Sequence, residues 1–426
     1  MPELISPAKR ISGFIRLPGD KSISHRYAML AAIAEGETRI RNYSTGADCH
    51  STLGAVRDLG IAVEQRDGET IIQGKGLDGL REPAAQLDAG NSGSTIRMLS
   101  GILAAQPFTS RIGGDSSLSR RPMDRIMQPL SAMGAEISAS EGRFPPLTIT
   151  GRTLRPIEYT LPVPSAQVKT CVLFGGLFAE GMTTVHEPVR SRDHSELALR
   201  EFGAEITVNR RTITIEGRPT LTGRRLSVPS DLSSAAFFLV AALLLPDSEL
   251  VIEGVGLNPT RSALLDFLVS CGAKIQVLNL EESGGEMVGD IRVVSSNVLG
   301  GVIEKETTAA LIDEIPVLAV LGAASKNGLV VRDAGELRIK ETDRIATVAE
   351  NFGRMGVEVE VFADGMRIPG GQKFRAATFD SFGDHRIAMA LSVAALRADG
   401  DCTIENSEAA SVSFPEFYPS LRMAVK

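Results

Sequence analysis

Tryptophan is absent and aromatic residues make up only 5% of the chain, so the interior has to be filled by Ala, Leu, Ile and Val. The four cysteines, Cys49, Cys171, Cys271 and Cys402, lie far apart and form no C-x-x-C pair. That excludes a zinc ribbon and a disulfide framework, reads the cysteines as core residues, and fits a reducing compartment. Long apolar runs are missing too. The longest, Ala235–Leu245, ends at Pro246 after 11 residues; as a helix it spans about 16 Å against about 30 Å for a bilayer core. It reads as a buried helix. Basic residues are not in excess: 45 Lys and Arg face 52 Asp and Glu, a net charge of −7, which argues against a nucleic-acid partner. The opening MPELISPAKR has no apolar h-region, so no signal peptide, a cytoplasmic setting and no membrane partner are expected. No G-x-G-x-x-G follows a strand, GDKS (19–22) lacks the glycine spacing of a P-loop, and the five His show no H-E-x-x-H spacing. A metal site is not expected.

What the chain does have is repetition. With 426 residues, about two to three domains are expected from length alone. A helical segment, a Gly and an alternating strand recur around Gly60, Gly134, Gly203, Gly272 and Gly356. Gly after an amphipathic helix reads as a C-cap, and the alternation after it as a half-buried strand. A second unit interleaves: a polar start, an Ala-rich helix, Gly and another strand, beginning near Ser22, Ser92, Ser165, Asp231, Asp313 and Asp384. Six copies of about 71 residues follow, each read as βαβαββ. The sixth runs out of chain, and Ile11–Leu17 is expected to supply its missing strand. The crossovers are placed near Pro18 and Pro229. One lobe is then residues 1–18 with 229–426, and the other 19–228.

The polar starts of these helices read GDKSISHR, GNSGSTIR, PSAQVK, PSDLSS, IDEIP and GDHRIAM. Helix N-termini favour anions. Ordinary capping explains the Ser, Asp and Asn there, but not Lys21, Arg26, Arg97 and Arg386, which oppose the helix dipole unless an anion is bound. Further cations stand in SRRPMDR (119–125), SRDHSE (191–196) and LRIKETDRI (337–345). In the last, Lys340 and Arg344 at i, i+4 are expected on one helix face, and taken alone the motif reads as a solvated helix with a Glu341–Arg344 pair. His25 and His385, beside Arg26 and Arg386, read as capping or packing residues at least as well as catalytic ones.

The set LPGDKSISHR, DAGNSGSTIR, GDSSLSRRPM, PVPSAQVK, LRIKETDRI, GDHRIAM and SFPEF, in order from Leu17 to Phe417, resembles the 3-phosphoshikimate 1-carboxyvinyltransferases of the enolpyruvyl transferase family. The resemblance implies an α/β fold of two similar lobes, each of three βαβαββ repeats (an inside-out α/β barrel), with the active site in the interdomain cleft. It implies transfer of the enolpyruvyl group of phosphoenolpyruvate to the 5-hydroxyl of 3-phosphoshikimate, with release of phosphate and no cofactor, by a chain expected to be monomeric. Carried over motif by motif, Lys21, Ser22, Arg26, Ser165, Ala166, Gln167, Arg192, Asp313 and Lys340 bind 3-phosphoshikimate. Lys21, Gly93, Arg121, Gln167, Arg344 and Arg386 bind phosphoenolpyruvate. Asp313 and Glu341 form the acid–base pair, with Lys21 assisting the leaving group.

The chemistry accounts for these residue types. Two multiply charged anions repel each other, and one close ion pair is worth about 4 kcal/mol at an effective dielectric near 20, so several cations are needed. Arginine forks match carboxylates and phosphates. Asp313 would accept the hydroxyl proton, and Glu341 would donate one to C3, which requires a raised pKa. Two departures are visible: Val412 stands where many members carry a phosphoenolpyruvate-binding Lys, and Ser195 where one glyphosate-tolerant subgroup has Thr. The sister enzymes acting on UDP-N-acetylglucosamine usually carry a reactive Cys before the Arg-Pro segment, and Ile112–Arg121 contains none. A catalytically silent anion-binding repeat protein could dispense with Asp313 and Glu341, and both are present.

Overall fold

The computed structural model describes residues 2–426. The chain divides into two compact units. A terminal unit takes the chain up to Pro18, Pro229–Glu282 and Met287–Lys426; an inserted unit takes Gly19–Val228 with the hairpin tip Ser283–Glu286. That tip lies within the 229–426 span expected for the other lobe.

The described residues form six sheets. In most, a leading strand runs parallel to its neighbour and antiparallel strands follow. Leu87–Asp88 pairs with Thr109–Gly113, which pairs antiparallel with Phe144–Thr150. Glu158–Thr160, Met182–His186 and Thr212–Glu216 repeat the pattern, as do Gly301–Ile303, Leu329–Val331 and Gly365–Ile368.

Thr378–Asp380 leads Cys402–Glu405 in the same way, and the other two leading strands are exchanged along the chain. Arg225–Ser227, late in the inserted unit, leads the sheet of Glu35–Arg41, with Leu226 opposite Ile40. Ser12–Arg16, near the N-terminus, leads the sheet of Glu249–Gly256, with Ile15 opposite Ile252. The expectation that Ile11–Leu17 completes the sixth repeat is therefore corrected: it completes the fourth. The sixth sheet is closed by Glu3–Ile5, antiparallel to Cys402–Glu405. Strand alternation names a buried face but not a partner.

The five repeated glycines, Gly60, Gly134, Gly203, Gly272 and Gly356, all have φ between +76° and +107°, the left-handed conformation that ends a helix at little steric expense. The Ala-rich helices fill the interiors. Every residue of Leu232–Leu244 is buried, as a helix apolar on all sides requires. It packs with Ile315–Ala324 and His385–Ala395 in the terminal unit. In the inserted unit Lys21–Ile33, Gly93–Leu103 and Ala166–Gly176 play that part. There the backbones approach closely: a Cβ on Gly101 would stand 2.2 Å from the Cys171 carbonyl oxygen. All four cysteines are buried and free. Among the described residues no helix is long and apolar enough to cross a membrane.

Candidate active site

Capping side chains set most of the polar helix starts. Asp20 Oδ1 accepts from the Ile23 amide at 3.0 Å, Ser92 Oγ from Thr95 at 3.0 Å, and Ser165 Oγ from Val168 at 3.3 Å. In the terminal unit Asp231 Oδ1 accepts from Ser233 at 2.8 Å and Asp384 Oδ1 from Arg386 at 2.9 Å. The first cap is Asp20, two residues before Ser22. At the fifth, Glu314 holds the cap position without capping.

In the inserted unit, these starts bring two groups together. Gln167 is held between Arg97, whose Nη1 donates to its Oε1 at 2.8 Å, and Ser94, whose Oγ accepts from its Nε2 at 2.9 Å. Gly93 lies beneath two guanidinium groups. A Cβ there would be 2.9 Å from Arg97 Nη1 and 3.5 Å from Arg121 Nη1. Arg121 is aimed by Asn91 and Ser117, with Nη2 donating to Asn91 Oδ1 at 2.7 Å and to Ser117 Oγ at 3.1 Å. Lys21 pairs with Asp48 at 3.1 Å.

The second group surrounds Arg26, which is buried. Its Nε donates to Ser195 Oγ at 2.7 Å, Nη1 to the Ser22 carbonyl at 2.7 Å and Nη2 to Thr170 Oγ1 at 3.0 Å. Burial pulls its pKa down to about 10, the neighbouring Arg192 adds to the fall, and Glu196 opposes it. The like charge of Arg192 near Arg26 is relieved when an anion is bound, so the pair suits a polyanion. Beneath them lies a charge group that the sequence reading missed. Lys169, 0% exposed, reaches Glu196 at 2.7 Å and Glu187 at 3.2 Å. Burial pushes the Glu196 carboxyl up, and Lys169 partly offsets it.

In the terminal unit the centre is Arg344, 1% exposed. Its fork meets Asp384, Nε to Oδ2 at 2.8 Å and Nη2 to Oδ1 at 3.3 Å. Nη2 also donates to Glu341 Oε2 at 2.6 Å, and Nη1 stands 3.6 Å from Asp313 Oδ1. Lys340 Nζ approaches that same oxygen at 3.3 Å. Burial alone would make Asp384 a weaker acid, but the Arg344 charge beside it wins and its pKa is lowered. Arg386 Nη1 lies 3.7 Å from Glu314 Oε1, which accepts a short hydrogen bond from Ser233. Arg261 steadies Ser233, donating from Nη2 at 3.0 Å.

Lys340 and Arg344 do not share a helix face. Lys340 ends the 3-10 turn Gly335–Ile339, and Arg344 begins a new helix capped by Asp343. The two cations reach one carboxylate from separate elements, and Arg344 is buried where the motif alone suggested a solvated helix. Asp384 was legible as a cap but not as the partner of Arg344.

The fold itself defines a class. The enolpyruvyl transferase NikO from Streptomyces tendae matches over 99% of this chain and 97% of its own, with a TM-score of 0.81 at 19% identity, a likeness of fold alone. The EPSP synthase of Acinetobacter baumannii matches over 100% and 98% with a TM-score of 0.89 and 42% identity. A 3-phosphoshikimate 1-carboxyvinyltransferase of Solibacter usitatus (strain Ellin6076) is 70% identical over 99% of both chains, and one of Koribacter versatilis (strain Ellin345) is 52% identical over the same shares. The family profile described as EPSP synthase (3-phosphoshikimate 1-carboxyvinyltransferase) matches residues 5–421. The chain belongs to the EPSP synthase family.

Proposed function

We propose that Asp313, Glu341 and Lys21 carry the chemistry of this enzyme. The reaction is enolpyruvyl transfer from phosphoenolpyruvate to 3-phosphoshikimate, a step of aromatic biosynthesis. The observation that best supports the assignment is the Arg344 group, in which Asp313 lies within ion-pair distance of both Lys340 and Arg344, and Glu341 pairs with Arg344.

Asp313 accepts the proton of the 5-hydroxyl as that oxygen bonds to C2 of phosphoenolpyruvate. Glu341 delivers a proton to C3, giving a tetrahedral intermediate. Loss of phosphate, assisted by Lys21, returns the C3 proton and restores the double bond. In the free protein Arg344 is shared among three carboxylates. An incoming substrate carboxylate takes part of that share, and Glu341 is released to carry its proton. Arg344 and Arg386 with Gly93, Arg121, Gln167 and Lys21 bind phosphoenolpyruvate. Lys21, Ser22, Ser165, Ala166, Gln167, Arg192, Asp313 and Lys340 bind 3-phosphoshikimate. Arg26 joins this second set through its charge and its hold on Ser22 and Ser195.

The test is phosphate release from phosphoenolpyruvate in metal-free buffer, with 3-phosphoshikimate or UDP-N-acetylglucosamine as acceptor. Release with 3-phosphoshikimate only is the expected result; release with the nucleotide sugar only would overturn it. The enzyme is taken to act as a cytoplasmic monomer, and sedimentation equilibrium giving a mass well above 45.3 kDa would contradict the monomer.

A further inference from the structure

His25 lies in the first helix motif but has no part in the chemistry above. Its side chain is 0% exposed, as are those of Thr52, Thr95 and Ser92. These four form a continuous chain of hydrogen bonds. His25 Nδ1 meets Thr52 Oγ1 at 2.6 Å, and Thr52 Oγ1 meets Thr95 Oγ1 at 2.7 Å. Thr95 Oγ1 donates to Ser92 Oγ at 2.8 Å, and that oxygen also accepts the Thr95 amide as the cap of the helix Gly93–Leu103.

Counting hydrogens fixes the direction of the chain. The single hydroxyl hydrogen of Thr95 is directed to Ser92 Oγ, with the Asp48 carbonyl at 3.5 Å as its other acceptor, so Thr95 accepts from Thr52. Thr52 has then spent its own and must accept from His25. His25 is therefore the tautomer with hydrogen on Nδ1, and its Nε2 carries none. A second proton would place N–H at Nε2, a buried atom without a hydrogen-bond partner among the described residues. Burial, reinforced by Lys21 and Arg26, holds the imidazole pKa well below its ordinary value, so the relay stays intact through neutral pH.

We propose that His25 is a positioning residue for the phosphoenolpyruvate site: through Thr52, Thr95 and Ser92 it fixes the helix start that carries Gly93, Ser94 and Arg97. The helix bearing Lys21, Ser22 and Arg26 is thereby keyed to the start against which Gln167 and Arg121 are set. The proposal rests on reading the Gly93 group as the phosphoenolpyruvate site.

The experiment is steady-state kinetics of the whole enzyme with each substrate varied in turn, alongside its melting temperature. His25→Phe keeps ring size and removes the donor. KM for phosphoenolpyruvate should rise about tenfold, the scale of one buried hydrogen bond lost, with KM for 3-phosphoshikimate within about twofold of the parent. His25→Asn, whose amide N–H can stand where Nδ1–H does, should restore it. Thr95→Val and Thr95→Ser give a second pair should His25→Phe fail to fold, with Val raising KM for phosphoenolpyruvate and Ser leaving it near the parent value. A lowered melting temperature with both KM values unchanged, or equal rises in both, would overturn the proposal. Gly93→Ala separates the two layers. If it raises KM for phosphoenolpyruvate and Thr95→Val does not, the relay alone is refuted. If Gly93→Ala has no effect, the site reading falls and the relay's role falls with it.

Discussion

Replacing Lys169 by Met keeps most of the side chain's volume and removes its charge. The ammonium is 0% exposed and faces two carboxylates, Glu196 at 2.7 Å and Glu187 at 3.2 Å. Breaking a buried ion pair by deleting one partner costs about 3–5 kcal/mol, because the other charge is left uncompensated. In a unit the size of Gly19–Val228, each kcal/mol moves the midpoint by about 2–4 °C. Lys169→Met should then lower the unfolding midpoint of the inserted unit by about 6–20 °C, read by calorimetry or circular dichroism. The deficit should depend on pH in a definite direction. Burial already raises the Glu196 pKa, and Lys169 is what restrains it; without Lys169 it rises further. A carboxyl whose folded pKa lies above its unfolded value stabilises the fold while protonated, and that contribution is lost as pH climbs through the folded pKa. The difference between variant and parent should accordingly be smallest near pH 5 and grow towards pH 8. Adding Glu196→Gln should recover part of the loss. A deficit under 2 °C that is flat across this range would refute the reasoning that the ammonium compensates these carboxylates.

Three other perturbations can be set beside it. Asp313→Asn should cut kcat by about 10²–10⁴-fold, the usual weight of a general base, while calorimetry shows the affinity for 3-phosphoshikimate reduced far less. Gly93→Ala brings a methyl to 2.9 Å from Arg97 Nη1, which Gln167 already holds; KM for phosphoenolpyruvate should rise by about tenfold, equivalent to about 1.4 kcal/mol, with little change in KM for 3-phosphoshikimate. Phe417→Ala opens a gap in the cluster of Phe237, Phe238, Phe414 and Tyr418 and should destabilise the terminal unit by about 3–5 kcal/mol in denaturant unfolding.

Local patterns were legible and long-range partnerships were not. The five glycine caps and the polar helix starts follow from one turn of chain each, and their regular spacing disclosed six repeats before any contact was known. The exchange of Ser12–Arg16 and Arg225–Ser227 between sheets was invisible, because an alternating strand fits any edge that offers an apolar face. The Lys169 group joins three elements that only packing brings together. Asp384 is a cap by its neighbours in sequence and a counter-ion by its neighbours in space. The break between Lys340 and Arg344 did leave a trace: Thr342-Asp343 is a helix start signal, and Asp343 Oδ1 does accept the Ala346 amide at 3.0 Å.

The pairing of Glu3–Ile5 with Cys402–Glu405 has a consequence in time. On the ribosome the inserted unit has all of its Gly19–Val228 segment once Arg225–Ser227 has emerged to lead the first sheet. The strands at the very N-terminus have no such early partner. Ser12–Arg16 waits for Glu249–Gly256, and Glu3–Ile5 waits for nearly the whole chain. At a synthesis rate of about 5–20 residues per second, the partner strand of Glu3–Ile5 follows Val228 by about 9–35 seconds. Through most of that interval Glu3–Ile5 trails as an unpaired strand from a domain already formed. A chain stalled before Cys402 would carry a folded inserted unit and a terminal unit whose last sheet is still open.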